Sequence, residues 1–594
     1  MFRLKRPRPF SAVVSALALL LMVCAGPAEA RRHALLIGVA KYTIPQWELE
    51  GPANDVFALK RVLTAKWGFA ESDVVVLDDA KAVRADVLAE LRRLVARTAE
   101  GDEVMIFFSG HGTSRHDPLR RSQADRLGLS FGSGALLAYD AAYPDGASDG
   151  MVVACRDLRP ALQQLDEGGR KVFLVIDSCY SGNAFRGVGV VSKAGKGQGK
   201  SPPGQPDMRR DTALANASGP YCTEAAQSGF PYRQLVFLGA SSDAEKADEI
   251  TAEDLSAGLA ATHDGKPAGR LTDALIRVLD ARQAADADGN GLSYGELYES
   301  VRDRVVALGH IRNPHTPVMR PSLDDGAAGR GVRDAPVFGA GQPLSGSKVP
   351  VLPAVMAESK AREERYRIWS DDAQVMKSAG AIRALEPVAQ ERADFILYSS
   401  LDVVARNGDY MTSLRGRDET SLREFAEGLG AVALLQSRAS LGRRDLQFAV
   451  SPEAGGDTFV QGDRVHFSLR SVRGGVPLVI NLDSQGRITS QWPAPGRTPS
   501  ALTAGSVTNT GDSEVTTPWG TDHVFAFEFD ALPEHYAALL DLRGDALTGD
   551  RGRLLLRTLE ANKGRFGYSY RAMRAQPDCR AHGNQTHLLC RGRQ

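Results

Sequence analysis

Five apolar runs of strand length punctuate the first 240 residues: HALLIGV (33–39), DVVVL (73–77), EVMIFF (103–108), KVFLVI (171–176) and QLVFLGA (234–240). Their apolarity is continuous rather than alternating, which suits strands covered on both faces, as in a mostly parallel sheet. Helical patterns lie between them. NDVFALKRVLTAKW starts with a capping residue, and RADVLAELRRLVART sets Val87, Leu91, Leu94 and Val95 on one face. Strand and helix in turn predict a doubly wound α/β layer sandwich, in which reactive side chains sit where loops leave the carboxyl ends of strands.

The remaining chain is organised around this domain. With 594 residues, 43% hydrophobic and 24% charged, the composition is that of a globular protein of two to four domains. Residues 1–30 stand apart: a basic MFRLKRPRPF, an apolar run too short to span a bilayer comfortably, and AEA ending at Ala30. This is the pattern of a cleavable secretory signal, so a periplasmic or secreted protein is expected. Val23 is bulkier than the small residue expected before a lipid-modified cysteine, so Cys24 is not read as an anchor site. Cleavage would remove Arg3, Lys5, Arg6, Arg8 and Glu29, reducing 72 basic and 72 acidic residues to 68 and 71. A net charge of −3 offers no global basic field for nucleic acid, and no later stretch reads as a transmembrane helix.

Residues 31–323 thus form the α/β domain, interrupted at 187–230 by a basic, Gly/Pro-rich segment read as an exposed mobile loop. The Gly-rich stretch 324–355 reads as a linker. Residues 356–445 read as a mixed α/β segment that opens on a charged helix, MAESKAREERYRIW, and 446–594 as a β-rich domain. In the latter, PLVINLDSQGRI predicts a hairpin turning at SQGR.

Two of the apolar runs end in chemistry. KVFLVI runs into DSCYSG, and EVMIFF into SGHG. A catalytic cysteine attacks as a thiolate and needs a base within reach, and His111 and Cys179 are both expected at one edge of one sheet. Their spacing of 68 residues leaves room for a crossover helix, for which RDLRPALQQL is available. Gly110 and Gly112 leave room for substrate backbone to approach. Five cysteines remain after signal cleavage, so at least one thiol is unpaired, and Cys579 and Cys590 suit a small disulfide loop. The bland alternative is a core cysteine and an unrelated loop histidine.

HALLIGVAKY, LEGPANDVFALKRVL, FFSGHGT and VIDSCYSG, in that order, resemble the caspase-like cysteine peptidases and most closely the metacaspase branch. The resemblance covers roughly residues 32–322. It implies a caspase–hemoglobinase α/β fold and peptide-bond hydrolysis through an acyl-enzyme, with Cys179 as nucleophile and His111 as general base and acid. The N–H groups of Cys179 and Gly112 would form the oxyanion hole. Asp55, Ser109 and Asp177 would line the first specificity pocket, where carboxylates favour Arg or Lys. A helix-capping role for Asp55 is the structural alternative. Protein substrates with basic residues, and self-cleavage within 187–230, are the corresponding expectations.

The chemistry itself requires no cofactor. Several metacaspases need calcium, held by aspartates beyond the nucleophile's sheet edge; Asp140 and Asp157 match two of these. The doubled aspartate expected near VACRDL is represented once. Separately, DADGNGLSYGEL (286–297) resembles an EF-hand loop, with Asp286, Asp288 and Asn290 at positions 1, 3 and 5. Its acidic residue, Glu296, falls at position 11 rather than 12, so a polar turn capping the helix from Tyr294 is an equal reading. The β-rich domain is expected to bind a cell-envelope component or a protein partner. A non-catalytic caspase-like scaffold is the competing functional class.

Overall fold

The computed structural model describes residues 30–114, 134–141, 150–179, 181, 230–241, 247–256, 258, 260–281, 292–309, 315, 317–321, 326–339, 365–405, 410–443, 445–451, 458–496 and 500–578. The signal segment, the 187–229 stretch, Cys579, Cys590, Asp286, Asp288 and Asn290 lie outside the described residues.

Eleven strands are described in the N-terminal domain: β1 (Arg32–Gly38), β2 (Val74–Asp78), β3 (Glu103–Ser109), β4 (Gly112–Ser114), β5 (Gly134–Leu137), β6 (Met151–Val153), β7 (Lys171–Asp177), β8 (Leu235–Gly239), β9 (Glu249–Ile250), β10 (Ala268–Gly269) and β11 (Val318–Arg320). All five apolar runs enter one sheet of order β11-β8-β7-β3-β1-β2. Its strands pair in parallel except β11, which runs antiparallel to β8. Continuous apolarity follows from two cores. Leu35, Ile106, Leu174 and Ile176 face helices Arg84–Arg97 and Arg159–Glu167, while Leu36, Phe107, Phe173 and Val175 face helices Pro52–Lys66, Arg270–Asp280 and Tyr294–Gly309. Phe107 and Phe173 are fully buried, and each such side chain contributes about 1.5–3 kcal/mol.

The helix ends differ from the sequence expectation. The helix after β1 is capped by Gly51 with Pro52 at its first position, so Asn54 and Asp55 lie inside the first turn. The domain also extends past residue 323. Helix Gly326–Arg333 is followed by Val337 and Phe338, both buried in the second core. Val337 N–H donates to Leu292 O (2.8 Å), and Arg32 Nη2 to Phe338 O (2.5 Å). Small residues read as a linker here because the two apolar side chains that seat the segment are outnumbered.

Residues 365–414 form a five-stranded sheet centred on Tyr366–Ser370 and Phe395–Leu397. Tyr366–Ser370 is therefore strand, not the end of a charged helix: Ile368 and Ser370 are buried while Tyr366, Arg367 and Trp369 are half-buried, a period of two. Beyond it stands a β-sandwich. Leu446–Ser451, Arg464–Ser471 and Val507–Asn509 form one sheet; the other has Gly520–Phe529 between Val476–Leu482 and Phe566–Gln576. The expected hairpin is present, with Asp483 N–H donating to Arg487 O (2.9 Å) and Gly486 at φ +77°. The boundary at 445 is softer than expected. Helix Glu419–Ala439 gives Leu422, Phe425 and Ala426 to the middle core and Ala431, Leu435 and Ala439 to the sandwich. An Arg470–Asp334 ion pair (2.7 Å) ties the sandwich to the N-terminal domain.

Candidate active site

Strand register sets the site. β3 and β7 are adjacent and parallel with Ser109 opposite Asp177, so His111 and Cys179 each stand two residues beyond paired strand ends. Neighbouring strands lie about 4.8 Å apart. The crossover includes helix Arg159–Glu167, built from the segment the sequence offered for it. A Cβ placed on Gly112 would fall 2.4 Å from Cys179 O and 2.7 Å from Ser178 Oγ. The two catalytic segments therefore touch at Gly112. At Gly110, φ is +155° and a Cβ would lie 2.9 Å from the Tyr42 hydroxyl. These glycines admit the protein's own backbone and side chains; the space assigned to substrate from sequence is taken at both.

The imidazole is oriented by its neighbours. His111 Nε2 lies 3.0 Å from Trp47 O, and a carbonyl only accepts, so Nε2 carries the proton. Nδ1 is then the basic nitrogen. His111 N–H donates to Tyr42 Oη (2.8 Å), and the Tyr42 ring packs against the imidazole with centroids 5.1 Å apart. Cys179 is a half-buried thiol that is not in a disulfide, and its Sγ lies 3.6 Å from Ala247 O. Its turn is stitched to the chain leaving β8: Ser181 Oγ donates to Ser241 O (3.1 Å) and accepts from Ser241 N–H (3.0 Å). Cys155, by contrast, is disulfide-bonded to a partner outside the described residues.

The three predicted pocket residues converge. Ser109 Oγ donates to Asp55 Oδ2 (2.7 Å), and Asp55 also accepts from Gly269 N–H (3.1 Å). Asp177 Oδ2 accepts from Thr272 N–H (2.9 Å) and Oγ1 (2.6 Å). A Cβ on Gly269 would meet both carboxylates, at 2.2 Å from Asp177 Oδ2 and 3.1 Å from Asp55 Oδ2. Both acids are buried, and neither has an ion pair among the described residues. Burial, then the neighbouring Asp177 charge, raises Asp55 well above the ordinary carboxylate range; burial raises Asp177 to about 6. Asp55 caps nothing. Glu249, missed from sequence, joins this acidic region: it accepts from Gly51 N–H (2.8 Å), and burial lifts it to about 7. Thr272, Gly269 and Trp47 were likewise unmarked. The first two come from a hairpin and helix distant in sequence, and the third acts through its backbone.

The aspartates matched to calcium are otherwise engaged. Asp140 Oδ1 accepts from Arg84 N–H (2.8 Å), and Asp157 is paired with Arg84 and Arg156 (both 2.8 Å). Glu296 Oε2 accepts from Ser293 N–H (2.9 Å) and Oγ (3.0 Å), while Ser293 Oγ accepts from Glu296 N–H (3.2 Å). That is a capping box at the start of helix Tyr294–Gly309, the polar-turn reading of this segment. Among the described residues, no group of three or more His, Cys, Asp or Glu side chains gathers in a way that could hold a metal ion. No helix among them is long and apolar enough to cross a membrane.

The mostly parallel sheet between two helical layers, with His111 and Cys179 at its paired strand exits, fits an α/β caspase-like fold. Residues 32–186 match the family described as metacaspase, peptidase C14 domain. The chain is 29% identical to metacaspase-7 of Arabidopsis thaliana over 181 residues, covering 30% of this chain and 40% of that protein. It is 26% identical to metacaspase-1B of Aspergillus niger over 298 residues, covering 46% of this chain and 62% of that one. The chain thus spans about half the length of the curated relatives it matches. A solved structure of pro-Sf-caspase-1 aligns over 53% of this chain and 93% of its own at 13% identity, with a TM-score of 0.28. That likeness adds nothing to the sheet topology.

Proposed function

We propose that this chain is a cysteine endopeptidase that cleaves after Arg or Lys. The observation that carries the reading is the β3–β7 register, which sets His111 and Cys179 on neighbouring strand exits. His111 Nδ1 takes the thiol proton, Cys179 Sγ attacks the scissile carbonyl, and the imidazolium returns the proton to the departing amine. Water then attacks the thioester, again through His111, and regenerates the thiol. The Trp47 carbonyl holds the imidazole in the required tautomer and stabilises the imidazolium as it forms. The N–H groups of Cys179 and Gly112 are assigned to the oxyanion, where one such donor is worth about 3–4 kcal/mol.

Selectivity for basic residues is assigned to Asp55 and Asp177, which have no ion pair among the described residues. An arriving guanidinium or ammonium supplies one. Export to the periplasm or beyond, with cleavage after Ala30, and self-processing at Lys193, Lys196, Lys200, Arg209 or Arg210 belong to the same proposal, as does a cell-envelope or protein partner for the sandwich. Fluorogenic peptides ending in Arg, Lys or Asp, given to the wild type and Cys179→Ala with and without calcium, test the activity. Turnover of the Arg and Lys peptides by the wild type alone is expected. Absence of turnover in every condition would overturn the reading in favour of a scaffold.

A further inference from the structure

Asp157 is a saturated carboxylate. Its Oδ1 accepts from Arg84 Nη2 (2.8 Å) and Arg156 Nε (3.0 Å), and its Oδ2 accepts from Val153 N–H (2.8 Å) and Arg156 Nη2 (2.8 Å). A carboxylate offers about four lone-pair sites, and all are used. Arg84 extends the network. Its backbone N–H donates to Asp140 Oδ1 (2.8 Å), and its Nε to Met151 O (2.9 Å). One arginine at the start of helix Arg84–Arg97 thus joins the residues following β5 to the strand and turn around β6. The same β5 end reaches the site: Leu137 N–H donates to His111 O (3.0 Å).

A divalent cation held by Asp140 and Asp157 would have to displace two guanidiniums and one backbone donor. Its charge would then stand beside Arg84 and Arg156, which are half-buried. Such a site does not fit calcium. Of the doubled aspartate that the resemblance predicts near VACRDL only Asp157 is present, and the neighbouring Arg156 grips it with its fork.

We propose that Arg84 and Arg156 are a built-in replacement for the divalent cation, and that this peptidase domain is held in its working arrangement without calcium. Arg84 acts as a positioning residue: its guanidinium and backbone together clamp β5 and β6, and through β5 the backbone of His111. As a statement about turnover this rests on the endopeptidase reading; as a statement about the fold it does not.

The test uses the full chain in a Cys179→Ala background, which cannot cut itself. Asp286→Ala and Asp288→Ala are added so that the 286–297 segment contributes no calcium response. Thermal melts are compared in EGTA and in millimolar calcium. The melting temperature is expected to agree within about 1 °C between the two, since a cation without affinity for the folded state cannot stabilise it. Adding Arg84→Met with Arg156→Asp is expected to lower the melting temperature in EGTA by roughly 4–8 °C, with part of the loss recovered in calcium. Arg84→Lys keeps charge without the fork, and should lower it less and gain no calcium response.

Calcium stabilisation of the protein with both arginines in place, abolished by Asp157→Asn, would overturn the proposal. So would an Arg84→Met change that leaves the melt unmoved. In the active Cys179 protein carrying the same 286 and 288 changes, kcat/KM on an Arg peptide should be equal in EGTA and calcium; a several-fold loss in EGTA also overturns it. If no peptide is cut under any condition, the endopeptidase reading fails while the melts still decide this one.

Discussion

Two pairs of aspartates stand beyond the sheet's carboxyl edge, and they are opposites. Asp157 is met by two arginines from its own chain, so the protein supplies its counter-charge; Asp140 accepts the backbone N–H of one of them, and the two acids become a strut. Among the described residues, Asp55 and Asp177 receive only neutral donors: a serine hydroxyl, a threonine and backbone N–H groups. Their ionised forms are disfavoured by burial, and for Asp55 also by the charge of Asp177. The comparison teaches that a buried acid whose cation the fold provides is a structural link, whereas a buried acid met only by neutral donors is the kind that the proposed function assigns to substrate.

The sharpest way to break this comparison is to neutralise the unpaired side. Asp177→Asn should reduce kcat/KM on Arg peptides by about 100-fold, the scale of one lost charge-assisted contact. The same change should raise the melting temperature above pH 6. The sign follows from the raised pKa: ionising Asp177 opposes folding as pH climbs through about 6, and asparagine removes that cost. A fall in stability with selectivity retained would show that Asp177 is a strut as well. Arg84→Met does the converse. It leaves Asp157 one donor short and should cost about 2 kcal/mol by denaturant unfolding.

The pH dependence sharpens the contrast at smaller scale. As pH drops below about 6, Asp177 takes a proton and the pocket loses negative charge. KM for Arg peptides should therefore rise by up to about tenfold per pH unit, while KM for a peptide with a neutral residue at that position stays level. Smallest is Glu296→Ala, which removes the capping box of helix Tyr294–Gly309. Loss of about 1 kcal/mol by denaturant unfolding, with kcat unchanged, is expected from a cap.

Much of the N-terminal domain was legible because its signals are local. Continuous apolar runs became two-faced strands, and Val87, Leu91 and Leu94 formed the predicted buried stripe, with Val95 only partly covered. The pocket residues Asp55, Ser109 and Asp177 were legible through a family resemblance and do converge. The extent of the domain was misjudged at 323 because Val337 and Phe338 are two apolar residues in a Gly-rich stretch. The helical reading of RYRIW failed because a charged helical pattern upstream ran into a strand of period two. The donors already held by Asp140 and Asp157 were not legible for a different reason. A sequence counts carboxylates, but not the lone pairs already occupied.

By itself the sequence determined that the five apolar runs of the N-terminal domain are strands, and that two of them end in a histidine and a cysteine. Hydrophobic periodicity and strand-end motifs act over a few residues, so they are written in the order of the chain. The tertiary structure alone decided which acids have no ion pair among the described residues, which imidazole nitrogen carries the proton, and why Gly112 must be small. Each of these depends on atoms up to 214 residues apart, such as the Gly269 N–H on Asp55, or on a backbone carbonyl such as that of Trp47, which no side-chain identity announces.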